Sequence, residues 1–290
     1  MAAVCTIATG TAIKDLKVFF FTLKQFNAQP PPVFLVCDND VKNYIETEKP
    51  YSGEIHIKSS LNYAKDLDRS AMERQRGTVY KTLWEDFMME KATALEYAFE
   101  SGVQSVFFFD SDICFMGPLP TPPTATAKIG VCPHMIKPRD EARFGKYNAG
   151  YVWTSDKTMP ALWRKAAHTS YFYDQAALET ITNDYMKANP ENVFTFPVQN
   201  NYGWWRMFQG VESPAELQAK WSFNRNTGQN ISGLLVENSP LLSVHTHWET
   251  RDMVTMTFNH FVFKKLQILH MYPNAAALVK FFQKEFSYLK

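Results

Sequence analysis

Val103-Gln-Ser-Val-Phe-Phe-Phe-Asp110-Ser-Asp112-Ile-Cys-Phe-Met-Gly-Pro118 reads as a buried strand that runs into charge. Its unbroken apolar, β-branched and aromatic run is that of a central strand covered on both faces. The run ends in two carboxylates spaced two residues apart, followed by Gly117-Pro118. Charge at the end of a buried strand is costly unless something compensates it. A divalent cation is the obvious compensation, because hard cations take oxygen ligands. In an open α/β sheet, ligands collect beyond the carboxyl ends of the strands. The stretch therefore predicts an Asp-X-Asp metal site at the lip of such a sheet. The alternative is that the pair caps the next turn without metal.

Upstream, residues 2–9 form a short apolar run ending in Thr9-Gly10-Thr11, a first strand and a turn. Residues 13–26 carry apolar side chains at helical spacing and stop before Pro30-Pro31-Pro32. Residues 33–37 are a second buried strand ending at Asp38-Asn-Asp40, and 54–58 alternate as a half-exposed strand. Strand–helix–strand order predicts an α/β fold, with a mixed, mainly parallel central sheet flanked by helices. Residues 59–78 are polar, contain Lys65, Arg69, Arg74 and Arg76, and read as a long loop with the length of a functional lid. Residues 81–101 are the clearest helix, with Leu83, Phe87, Met88, Ala94, Leu95, Ala98 and Phe99 on one broad face. Gly102 is its expected stop.

Downstream, residues 118–123 are Pro-rich and read as a surface connection. Residues 129–133 predict a strand, 147–153 a loop leading into a strand, 159–168 and 174–185 helices, and 193–198 a strand. Residues 200–205 form a loop dense in rings and amides. Residues 241–248 are an apolar strand ending in polar residues, and the last forty are helical with Pro273 as a break. There is no internal repeat or clear linker. The composition shift near Pro118 predicts a single domain in two lobes, 1–116 and 117–290.

The 290 residues are 46% hydrophobic and 20% charged, an ordinary globular balance. A net charge of +1 without a long basic run argues against a nucleic-acid partner. Cys5, Cys37, Cys114 and Cys132 are widely spaced and include no Cys-x-x-Cys pair. They predict buried free thiols in a reducing compartment rather than a metal site. The start lacks a basic segment leading into a long apolar one, and no apolar run reaches the roughly 18 residues of a membrane span. The expectation is a cytoplasmic protein without a transmembrane segment. Asn230-Ile-Ser232 matches a glycosylation acceptor, and without a secretion signal it reads as chance.

Four pieces, in order, carry a resemblance. They are Phe109-Asp110-Ser111-Asp112, then Tyr147-Asn148-Ala149-Gly150, then Asp174-Gln175, then His245 or His247. Over roughly residues 91–248 the chain resembles the nucleotide-sugar glycosyltransferases of the GT-A (Rossmann-like) fold. Its layout is similar to glycogenin and the plant xylosyl- and arabinosyltransferases. The resemblance implies a nucleotide-binding lobe, 1–116, and an acceptor-binding lobe, 117–290. It also implies a nucleotide-sugar donor, most often a UDP sugar, a Mn2+ or Mg2+ ion, and a carbohydrate or glycan acceptor.

The same resemblance distributes roles. Asp112 is the expected direct metal ligand, and Asp110 either binds metal or holds the ribose. His245 or His247 completes the ligand set. Thr9, Gly10, Lys91, Asp110, Ser111, Asn148 and Gly150 are the expected donor-binding residues, with Arg74 and Arg76 as further charge near the phosphates. Asp174 and Gln175 are the expected catalytic pair. They would steady an oxocarbenium-like state in a retaining reaction, whereas Asp174 would be the base in an inverting one. Retention is slightly favoured on the resemblance.

Each residue also has a plainer reading. Asp174 fits a helix N-cap, Arg74 and Arg76 a solvated loop face, one of the two histidines a structural role, and Trp204, Trp205 and Trp248 the core as readily as a sugar platform. The Gly that often follows the family's C-terminal His is absent, since His245 is followed by Thr246-His247-Trp248-Glu249. Two other functions compete. One is a carbohydrate-binding protein of the same fold without turnover. The other, less favoured, is an Asp-nucleophile phosphatase, whose motif would lie on the first strand with Thr or Val where Cys114 stands.

Overall fold

The computed structural model describes residues 2–121, 126–224 and 230–289. Of the Pro-rich connection, Pro122 and Pro123 lie outside the described residues. The strands are β1 (Ala3–Ala8), β2 (Val33–Cys37), β3 (Ile55–Ser59), β4 (Val106–Phe109), β5 (Ile113–Phe115), β6 (Ile129–Pro133), β7 (Tyr147–Thr154), β8 (Val193–Thr195), β9 (Tyr202–Gly203), β10 (Trp221–Phe223), β11 (Leu234–Val236), β12 (Ser239–Pro240) and β13 (Ser243–His245). The helices are α1 (Ile13–Phe26), α2 (Asn39–Glu48), α3 (Arg69–Arg74), α4 (Leu83–Met88), α5 (Glu90–Glu100), α6 (Pro138–Phe144), α7 (Met159–Ala167), α8 (Tyr173–Ala188), α9 (Trp205–Phe208), α10 (Pro214–Lys220), α11 (Met253–Ile268) and α12 (Pro273–Glu285). The chain divides into two compact units. The first comprises residues 1–13, 31–111 and 121–196, and the second residues 14–30, 112–120 and 197–290.

The first unit is built on a seven-stranded sheet in the order β3-β2-β1-β4-β7-β6-β8. β3, β2, β1 and β4 run parallel, β7 is antiparallel to both β4 and β6, and β8 is parallel to β6. Every residue of β1, β2, β4 and β7 is buried, which explains the continuous apolar sequences of β2 and β4 and the largely apolar one of β1. Between β1 and β4 the strand order reverses. There the register sets Cys5 opposite Phe108, bringing the carboxyl ends of the two strands side by side. Thr9-Gly10 follows one end and Asp110 the other. That reversal is where open α/β sheets bind ligands.

Several elements depart from the sequence expectation. The polar stretch 59–78 is no simple loop, since it holds α3, whose N-cap Asp68 accepts from Ala71 N–H. The predicted helix 81–101 is two helices, broken where Met89 (φ −78°, ψ −3°) turns its buried side chain inward. Gly102 does stop α5. Its φ is +91°, and Val103 N–H returns to Ala98 O at 3.3 Å. Asp38-Asn-Asp40, expected to end a strand, also starts α2, with Asp38 accepting from Val41 N–H. Residues 147–153 are strand throughout.

In the second unit β13 sits between β5, antiparallel, and β9, parallel. α1 supports β5, where Phe115 N–H donates to Thr22 Oγ1 at 3.1 Å and Phe19 packs against the Phe115 ring. α12 supplies Phe282, which stacks on Trp248 at 4.1 Å, and Phe281, which stacks on Phe21 of α1 at 4.0 Å. A second small sheet has the order β10-β11-β12. Beside it lies a buried ionic cluster. Glu212 accepts from Arg206 (2.8 Å), Lys220 (2.6 Å) and the Tyr202 hydroxyl. All four cysteines are buried and free, each within a strand. No helix among the described residues is long and apolar enough to cross a membrane.

Candidate functional site

In the first unit the candidate residues gather around Lys91 of α5. Lys91 is buried, at 3% exposure, and its ammonium lies 3.0 Å from Asp110 Oδ1 and 2.9 Å from Asp174 Oδ2. It also donates to Ala149 O at 3.4 Å and sits 5.3 Å from the Phe108 ring centre. Burial alone would lower the Lys91 pKa, but Asp110 and Asp174 outweigh it and raise the group above the usual lysine range. Lys91 therefore meets the carboxylates at the end of β4 and the start of α8, where the sequence had offered it to phosphates. Asp110 is tied to β7 as well, its N–H donating to Gly150 O at 2.9 Å.

Asn148, Gln175 and an unexpected residue, His134, form a second group. Asn148 Oδ1 accepts from Gly150 N–H (2.9 Å), which turns Asn148 Nδ2 toward His134 Nε2 (3.1 Å). His134 Nδ1 donates to Gly145 O (3.2 Å), and its Nε2 lies 3.0 Å from Gln175 Oε1. Gln175 Nε2 donates to Phe144 O at 3.0 Å, which fixes that end of the Gln175 amide. No local pattern marks His134, whose side-chain contacts are 11, 14 and 41 residues away.

Thr9 is buried and shares a hydroxyl contact with Thr11 at 3.0 Å, while Gly10 N–H donates to Asp38 Oδ2 at 2.8 Å. A Cβ on Gly10 would press on Asp40 at 3.2 Å, so the turn is closely fitted. Ser111 is half-buried in the turn after β4. Arg74 and Arg76 are exposed, and Arg74 bonds Ser70 within its own helix.

In the second unit the β13–β5 register sets His245 opposite Ile113, and Thr246 N–H donates to Asp112 O. Two imidazoles consequently converge on one carboxylate. His245 Nε2 is 3.0 Å from Asp112 Oδ1, and His247 Nδ1 is 3.2 Å from Asp112 Oδ2. Burial alone would raise the Asp112 pKa. His245 and His247 overcome it and hold the carboxyl well below the usual carboxylate range. His245 Nδ1 faces Asn201 Oδ1 at 3.1 Å, a contact that orients the ring. His247 also meets Asp15 of α1 at 3.3 Å, and Asp15 was not among the expected site residues. Trp248 and Trp205 are buried core rings, and Trp204 is half-buried.

The Asp112–His245 pair fits a small divalent ion. Cis ligands of an octahedral ion at about 2.1 Å stand about 3.0 Å apart, the separation of Oδ1 and Nε2 here. An anionic oxygen and an imidazole are also a suitable donor set for Mn2+ or Mg2+.

A seven-stranded, mixed and mainly parallel sheet whose order reverses between β1 and β4 places this chain in the GT-A fold class. Solved structures of that class share its fold. GlyE, a glycosyltransferase of Streptococcus pneumoniae TIGR4, is similar with a TM-score of 0.58 at 10% identity, over 98% of this chain and 63% of its own. The galactosyltransferase LgtC, solved with donor and acceptor sugar analogues, is similar with a TM-score of 0.55 at 11% identity, over 90% of this chain and 94% of its own. This chain thus spans less than two thirds of GlyE. No protein-family model matches the sequence, and no curated protein matches it.

Proposed function

We propose that this protein is a metal-dependent glycosyltransferase that moves a sugar from a nucleoside-diphosphate sugar, a UDP sugar first among them, to a hydroxyl of a carbohydrate acceptor. The observation that carries the reading is the Asp112 Oδ1–His245 Nε2 pair at 3.0 Å. Asp112 and His245 are the proposed ligands of Mn2+ or Mg2+, with Asp110 as a further carboxylate for metal or ribose and His247 beside them. A cation held there supplies the positive charge that a departing diphosphate needs.

The remaining assignments concern the chain itself. Thr9, Gly10 and Ser111 close the strand ends toward the nucleoside and phosphates. Lys91 fixes Asp110 and Asp174, while Asn148 and Gly150 present a tightly bonded edge to the donor sugar. Asp174 and Gln175 are assigned to the reacting sugar, and both are held from behind, Asp174 by Lys91 and Gln175 by Phe144 O. Such fixed groups suit a reaction that depends on orientation. Retention is favoured over inversion because Asp174 Oδ2 is already engaged by Lys91, a poor arrangement for a base that must approach the acceptor hydroxyl.

Incubation of the protein with a panel of UDP sugars and Mn2+, followed by UDP release, tests the reading. Chelator-sensitive UDP release that falls at least about 100-fold in Asp112→Ala is the expected result. A panel with neither hydrolysis nor binding refutes it. Binding without hydrolysis that survives Asp112→Ala supports the non-catalytic sugar binder instead.

A further inference from the structure

We propose that Asp15 is a positioning residue for the cation site, acting through His247; the inference rests on the reading of Asp112 and His245 as cation ligands. Asp15 lies in the first turn of α1 and is buried. Its Oδ1 accepts from Trp248 N–H at 2.8 Å, and its Oδ2 lies 3.3 Å from His247 Nδ1. Trp248 is wholly buried and stacked on Phe282, so the Asp15 carboxylate is anchored to rigid structure.

The same His247 Nδ1 lies 3.2 Å from Asp112 Oδ2. One N–H thus stands between two carboxylates. If His247 had only Asp112 as acceptor, a cation taking Asp112 would compete with that hydrogen bond. With Asp15 in place, the N–H has a second acceptor, and Asp112 is released to the cation at little cost. Because both carboxylates call for a hydrogen on Nδ1, the ring keeps its lone pair on Nε2. The ring itself is more than half exposed. Carboxylates behind imidazoles in metal sites characteristically change affinity 10–100-fold when removed.

The test is calorimetric titration of the full chain with Mn2+ alone, run on wild type, Asp112→Ala, Asp15→Asn, His247→Gln and the Asp15→Asn/His247→Gln double variant. Asp15→Asn retains an oxygen for Trp248 N–H but presents an amide to His247. The expected result is a dissociation constant raised about 10–100-fold in Asp15→Asn. In the His247→Gln background, where no imidazole N–H is left to compete for Asp112, Asp15→Asn adds less than about 2-fold, since the two act as one unit. Wild-type Mn2+ affinity in Asp15→Asn, or in Asp15→Ser should Asp15→Asn fail to fold, overturns the role of Asp15 alone. A loss undiminished in the His247→Gln background does the same, because it marks Asp15 as merely structural. A wild type that takes up no Mn2+, or an Asp112→Ala that binds it unchanged, overturns the cation reading and this proposal with it.

Discussion

Replacing Lys91 with Met removes one positive charge while nearly preserving volume, and it leaves Asp110 and Asp174 facing each other across the vacated ammonium. The two contacts, at 3.0 and 2.9 Å, each correspond to roughly 5 kcal/mol of attraction at an effective dielectric near 20. Much of that is offset by the desolvation of the charges, so the net cost is set by what stays behind. Breaking a buried ion pair by deleting one partner costs about 3–5 kcal/mol, a large share of the roughly 5–15 kcal/mol that holds a typical domain together. At about 2–4 °C per kcal/mol, thermal melts followed by circular dichroism should show Lys91→Met unfolding about 6–20 °C below wild type. Adding Asp174→Asn should restore part of the loss, because one buried charge then disappears. The pH dependence has a definite sign. Lys91 has its pKa raised in the folded state by Asp110 and Asp174 against the opposing effect of burial. Its contribution is therefore fully present below the unfolded lysine value of about 10.4 and fades as pH climbs beyond it. A Lys91→Met protein melting within about 2 °C of wild type at pH 7 would mean that the carboxylates have some compensation other than Lys91 and would rule out its role here.

Two further perturbations probe each unit separately. Glu212 is buried, which alone would raise its pKa, but Arg206, Lys220 and Tyr202 bring it down to about 2. A depressed carboxylate stabilises above its unfolded value of about 4.3, so Glu212→Gln should melt well below wild type at pH 7. The gap should close as pH falls from about 4.3 toward 2; a gap independent of pH contradicts the assignment. In the first unit a Cβ on Gly77 would lie 2.5 Å from Tyr80 O and 2.6 Å from Thr82 O. Gly77→Ala should cost about 1–3 kcal/mol and speed proteolysis at residues 76–82, whereas unchanged cleavage would show that this turn has slack.

The elements legible in the sequence were those with a local signal. α1 and β2 match their apolar patterns residue for residue, and Gly102 marks the end of α5. α2 has no distinct signal because Asp38, which ends a buried strand, is also an N-cap, and polarity alone does not separate the two. The break at Met89 has no Gly or Pro to announce it. The apolar run of β7 carries no record of direction, so its antiparallel pairing with β4 could not be read. In the candidate site the carboxylates declared themselves by interrupting a buried strand. Their partners did not. Asp15 meets His247 across 232 residues and His134 meets Gln175 across 41. An acid in a helix's first turn reads as a complement to the helix dipole, and a lone histidine after a strand reads as nothing in particular.

The proposed cation site of Asp112 and His245 can be observed outright. A crystal of the protein soaked with UDP and Mn2+, examined by anomalous scattering from manganese, tests it most directly. One manganese is expected within about 2.0–2.3 Å of both Asp112 Oδ1 and His245 Nε2 and in contact with diphosphate oxygens. Manganese bound elsewhere, or UDP bound with the Asp112–His245 contact intact and no metal beside it, would contradict it.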